Sequence, residues 1–130
     1  MAVQLFARGD TPSFCATIED IPKITANHVA DAANSGDKMA LEILTTTAQY
    51  LGRGMALIID ILNPDAIIIG SIFNKAGHLI KTKMMDELTR ECLPAALNTC
   101  KILLSALGDQ IGDIAALAVA NQQPTNINVP

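Results

Sequence analysis

Aromatic residues are nearly missing from this chain: no tryptophan, one tyrosine and three phenylalanines in 130 residues. Without large rings, a core must be built from Ile, Leu, Ala and Met. Half of the residues are apolar, which suits a packed interior and excludes a disordered chain. Basic runs are missing too. The net charge is −4 with no cluster of Lys or Arg, so the electrostatic footprint of a nucleic-acid binder is absent. Cys15, Cys92 and Cys100 are odd in number and form no CxxC pair. That argues against a zinc site or a secreted disulfide framework and for reduced cytosolic thiols. The longest apolar run, Met55 to Leu62, contains Asp60 and stops at Asn63-Pro64, short of the ~20 residues that cross a bilayer. The opening MAVQLFARGD carries charge too early for a signal peptide. The expectation is a soluble, cytoplasmic protein with no membrane contact and no contact with nucleic acid.

What is present reads as one domain or a piece of one. Residues 1–24 are expected to hold the end of a helix, Ala2 to Ala7, stopped by Gly9 and followed by a loop. Residues 25–121 form the main segment, and 122–130, polar with two prolines, read as a loose tail. Thr25 is placed to cap a short helix through Asn34, which Gly36 ends. Asp37 then caps a long helix, because its carboxylate accepts orphan N–H groups of the first turn. Ala40, Ile43, Leu44, Thr47, Leu51, Met55, Ile58 and Leu62 recur at spacings of three and four, the pattern of a core-facing stripe. Ala48, Gly52 and Ala56 add a line of small residues, which allows another backbone to approach closely and offsets the helix propensity a glycine forfeits.

Asn63-Pro64 ends that helix, since proline disfavours helical geometry in the residue before it. Ala66 to Ile69 read as a strand covered on both faces, and Gly77 to Leu93 resume helical spacing. Ile102 to Leu104 read as a second strand. Gly108-Asp109 opens a last helix with Ile111, Ile114, Ala115 and Ala118 inward. Strands alternating with helices imply parallel pairing through right-handed crossovers. The fold class is therefore α/β, helices around two short parallel strands. Two strands have two edges and make an incomplete sheet. The missing strands are expected from polypeptide outside this chain or from another copy.

Residues able to carry chemistry are few. No phosphate-binding P-loop and no Gly-x-Ser-x-Gly elbow occur. His28 and His78 lie fifty residues apart without partners and read as surface or helix-face histidines. Asp109 and Asp113 open the last helix, where negative charge favours the dipole. Lys75, Lys81 and Lys83 flank the glycine turn and read as a solvated face, with phosphate attraction as the sharper alternative. No catalytic residue and no metal ligand is expected.

Three blocks, GDKMALEIL, LGRGMALIIDILNPDAIIIGSIF and LGDQIGDIAALAVA, resemble in order and spacing the C-terminal part of the ROK family, over roughly Gln4 to Asn121. That family comprises bacterial sugar kinases and sugar-responsive repressors within the actin-like ATPase superfamily. The resemblance implies part of a ribonuclease-H-like lobe, with ATP in a cleft between two lobes. It implies that the turn after the first strand, Gly70, Ser71, Ile72, Phe73 and Asn74, belongs to the adenosine-binding motif. The family often has glycine at the first three positions; here Gly70 matches, and Ser71 and Ile72 depart. The family's phosphate loops, catalytic aspartate and cysteine-rich zinc motif have no counterpart in these residues. The resemblance thus implies a lobe segment of an ATP-dependent hexose or amino-sugar kinase, inactive alone. ATP, magnesium and a sugar are then ligands of the complete protein, and the partner is a second copy or the missing lobe. The alternatives are the sugar-sensing half of a repressor of the same family, or a short association module.

Overall fold

The computed structural model describes residues 12–70 and 72–121. The helix expected over Ala2–Ala7, the tail from Gln122 and Ser71 lie outside them. A 3-10 turn, Ile18–Lys23, leads to helix α1, Ala26–Asn34. The Thr25 hydroxyl accepts from the His28 N–H at 3.3 Å while the Thr25 N–H donates to His28 Nδ1 at 3.3 Å. This is a capping box with imidazole in the place usually held by Glu or Gln, so His28 has a structural role. Gly36, at φ 87, turns the chain into α2, Lys38–Leu62. Asp37 Oδ1 accepts from the N–H groups of Met39 and Ala40, each at 2.9 Å. Asn63, left-handed at φ 45, closes α2 by donating to Ile59 O at 2.8 Å.

Strand β1, Ala66–Ile69, pairs in parallel with β2, Lys101–Leu104, in the register Ile67 to Ile102 and Ile68 to Leu103. Between them run α3, Ile72–Glu91, and a one-turn helix α4, Pro94–Leu97, with proline at its start, where the missing N–H costs nothing. A second 3-10 turn, Gly108–Gln110, opens α5, Ile111–Ala120. The result is the expected helix-rich α/β arrangement with an open two-stranded parallel sheet.

The core lies where α2 crosses α3. From α2 it takes Ala40, Leu44, Ala48, Gly52, Met55, Ala56 and Ile59; from α3, Phe73, Ala76, Gly77, Ile80, Met84 and Leu88. This corrects the expected stripe on α2. Thr47, Ile58 and Leu62 are exposed, Ile43 and Leu51 are half-buried, and the small-residue line sits at the centre of the buried face. The reason is distance. A Cβ built on Gly52 would lie 2.5 Å from Met84 O and 3.1 Å from Leu88 N, so the helices meet backbone to backbone there and only small residues fit.

Three further expectations change. Helix α3 starts at Ile72, five residues before Gly77, because the chain needs only two residues to leave the strand. The strands are covered on one face only: Ile67, Ile69 and Ile102 pack on the core while Ile68 and Leu103 are exposed. The described residues supply no second layer. Helix α5 is exposed from Gly112 to Ala120, Ile114, Ala115 and Ala118 included, so the face expected to turn inward finds no core here; the Ile111 side chain is not described. A helix apolar on all sides is of the kind that ordinarily lies buried; among the described residues nothing covers this one.

Candidate functional site

The turn singled out from the sequence joins the C-terminal end of β1 to the N-terminal end of α3. Gly70 and Ile72 are half-buried, Phe73 is 3% exposed and Asn74 is exposed; Ser71 lies outside the described residues. The Phe73 N–H donates to Gly70 O at 3.3 Å, which ties the helix start to the strand end. Free N–H groups of a helix's first turn favour an anion, so one end of this junction suits phosphate.

Phe73 differs from its neighbours. Its ring lies along α3 over Gly77, where an added Cβ would sit 2.8 Å from the ring. It forms one wall of a groove of about 320 Å³ between α3 and β2, with Lys81, Met84, Met85, Cys100, Ile102 and Leu104 among the lining residues. Among the described residues of that lining, Lys81 is the only charged one. Gly70, Ile72 and Asn74 do not line the groove, so the structure does not gather the five predicted residues into one pocket.

The other lysines are committed elsewhere. Lys75 pairs with Asp31 at 2.8 Å, and its carbonyl accepts from Asn34, which fastens α3 to α1. Lys83 lies 3.7 Å from Glu87. Glu87 was not singled out from the sequence. It is 3% exposed and meets Arg53 of α2 at 3.4 Å, as well as Arg90 and Lys83 of its own helix. Arg53 also stacks over the Tyr50 ring at 5.8 Å. The signal was visible: Glu87 adjoins Leu88 on the Ile80–Met84–Leu88 face, and an acid on a buried face needs partners.

A second polar contact joins α2 to the end of α3. Asp60 Oδ1 accepts from the Leu93 N–H at 3.0 Å and from the Cys92 thiol at 3.1 Å. Burial, then the Asp60 carboxylate, push the Cys92 thiol up to about 11, so it stays protonated and unreactive at neutral pH. At Asp37, burial favours the neutral acid, but hydrogen bonds from Ser13, Ala40 and Met39 together hold the carboxyl below the usual carboxylate range. Among the described residues no three His, Cys, Asp or Glu side chains are grouped to hold a metal, and no helix is long and apolar enough to cross a membrane. The polar contacts described here are structural; the thiol that does lie beside a carboxylate, Cys92 at Asp60, is held protonated by burial and by that carboxylate.

The model of the ROK family matches residues 14–123. The chain belongs to the ROK family. Its relatives within that family divide between two activities. A glucokinase of Thermotoga maritima is 29% identical over 101 residues, which cover 78% of this chain and 32% of that protein. The DNA-binding transcriptional repressor Mlc of Escherichia coli is 32% identical over 72 residues, covering 55% of this chain and 18% of that one. A crystal structure from Cytophaga hutchinsonii, described as that of a sugar kinase, superposes with a TM-score of 0.67 at 17% identity, over 91% of this chain and 38% of that one. That likeness shows the fold. This ROK chain thus spans about a third of the glucokinase's length.

Proposed function

We propose that this chain is a C-terminal lobe segment of a cytoplasmic, ATP-dependent ROK sugar kinase acting on a hexose or amino sugar, and that it has no catalysis of its own. Gly70, Ser71, Ile72, Phe73 and Asn74 form one wall of the adenosine pocket in this reading. The observation that carries it is the β1–α3 junction. In open α/β sheets, ligands sit outside the carboxyl ends of strands, and here a glycine at that end leads within two residues into a 20-residue helix. The residues present fit one side of a nucleotide: Gly70 allows close backbone approach, and the start of α3 favours phosphate. They do not fit a metal, since among the described residues no group of carboxylates is assembled for one; magnesium would be held by ATP phosphates and polypeptide outside these residues. Magnesium-bound ATP supplies the phosphoryl group, and the sugar hydroxyl is the acceptor.

A coupled ADP-release assay with glucose and with N-acetylglucosamine tests the reading. The purified chain is expected to give no turnover; turnover lost on heating and insensitive to inhibitors of trace kinases would overturn it. Calorimetric titration with ATP and ADP, repeated with Gly70→Val in the complete protein, tests the turn. Weaker nucleotide binding is the expected result, and unchanged binding removes the ligand role.

A second reading is favoured by the similarity to Mlc: the chain as the sugar-sensing C-terminal half of a repressor. The segment preceding these residues in the complete protein discriminates, a helix-turn-helix for the repressor and a phosphate loop for the kinase.

A further inference from the structure

We propose that the ion pair between Asp31 of α1 and Lys75 of α3 is a positioning device, with Asp31 acting through Lys75 on how the nucleotide turn receives adenosine. The inference rests on the adenosine reading of that turn. Lys75 directly follows the turn and is held twice by α1. Its ammonium meets Asp31 Oδ1 at 2.8 Å and Oδ2 at 2.9 Å, and its carbonyl accepts from Asn34 Nδ2 at 3.4 Å. Helix α1 is itself fixed, by Val29, Ala30 and Ala33 in the core and by the Thr25–His28 capping box. On the other side of Asn74, the buried Phe73 ring is anchored over Gly77. The exposed Asn74 therefore stands between two anchors, one inside the core and one on α1.

Helix stability does not account for the pair. Asp31 lies in the last turn of α1, where the helix dipole disfavours an anion, and Lys75 lies in the first turn of α3, where it disfavours a cation. Neither helix corrects this itself: α1 has no basic residue in its last turn, and α3 has no acid in its first. Exchanging the two charges would suit both helices better. The pair is also exposed, 40% at Lys75 and 58% at Asp31, so its share of the overall stability is small. What it supplies is a link between residues 44 positions apart, from a helix seated in the core to the start of α3.

Calorimetric titration of the complete protein with adenosine and with ATP tests this, with Asp31→Asn beside the parent. Adenosine is neutral, so removing a charge acts on it only through the shape of the turn. Asp31→Asn is expected to weaken both ligands alike, by about two- to fivefold, at a nearly unchanged melting temperature. The exchanged pair, Asp31→Lys with Lys75→Asp, is expected to restore both. Weakening of neither ligand, or failure of the exchanged pair to restore them, overturns the proposal. So does tighter binding of ATP with adenosine unchanged, which would make Lys75 a phosphate ligand that Asp31 restrains. Should Asp31→Asn not fold, Lys75→Gln, which opens the same pair from α3, is read in its place. Gly70→Val separates this proposal from the reading beneath it. Weaker adenosine binding in Gly70→Val but not in Asp31→Asn removes the positioning role alone. No effect of either substitution, or no binding of either ligand to the parent, removes the nucleotide turn and the positioning role with it.

Discussion

Alanine at Gly52 and at Gly54 adds the same methyl group to the same helix two residues apart, and the two changes are expected to act in opposite directions. Each gains about 1 kcal/mol of helix propensity at most. At Gly54 nothing opposes the gain, since the space around the new Cβ is open, and a stabilisation of roughly 0.5–1 kcal/mol is expected. At Gly52 the Cβ arrives 2.5 Å from Met84 O, 2.9 Å from Glu87 Cβ and 3.1 Å from Leu88 N. Two of those three atoms are backbone and cannot rotate away, so α2 and α3 must separate by most of an ångström along their crossing. Overpacking of this kind costs about 1–3 kcal/mol, and the separation also weakens dispersion contacts across the core. The net expectation is a loss of roughly 1–2 kcal/mol after the propensity gain is subtracted. Urea unfolding followed by circular dichroism at low protein concentration reads both variants. The midpoints should move in opposite directions at unchanged slope. A Gly52→Ala variant as stable as the parent would refute the close helix crossing on which the core rests.

Other expectations follow from the polar contacts. Glu87→Gln keeps the shape but removes the charge that gathers Arg53, Lys83 and Arg90, and should cost about 1–2 kcal/mol, seen as a lower melting temperature; no change would mean the cations are satisfied by solvent. Asp60→Ala removes the acceptor for the Leu93 N–H and should destabilise by about 1 kcal/mol, with Cys92 labelling by iodoacetamide faster than in the parent at mildly alkaline pH. Asp37 is held below its ordinary value, so its contribution is present above the unfolded pKa of ~3.9 and is lost as pH falls through the folded value. Asp37→Asn keeps a good cap and should flatten stability against pH below about 4, whereas Asp37→Ala should lose about 1 kcal/mol at neutral pH.

Much of the local structure was legible because it is decided by neighbours in sequence. Thr25 and Asp37 cap helices through N–H groups two or three residues away, and Asn63-Pro64 ends α2 by backbone geometry. Alternation of strand and helix implied the parallel pair that Ile67 and Ile102 form. The junction was less legible. Gly77 looked like a helix start, and only the fold shows that it is an interior position that makes room for the Phe73 ring. Phe73 itself looked like part of an adenosine turn and is also a wall of the groove along β2.

By itself the sequence determined the longer helices, the two strands, their order and the family, since caps, breakers and periodicity act over a few residues and the ROK blocks are contiguous; the short Ile18–Lys23 and Pro94–Leu97 turns of helix were not read from it. It also indicated that two strands could not be a whole sheet. Tertiary structure decided which face of α2 is buried, which acid needs three cations, and which apolar surfaces stay bare. Those outcomes depend on how closely α2 and α3 approach at Gly52, a distance between residues more than thirty positions apart that no local pattern encodes. Once that distance is short, small residues take the inside, and the larger Tyr50, Leu57 and Ile61 are left on the outside.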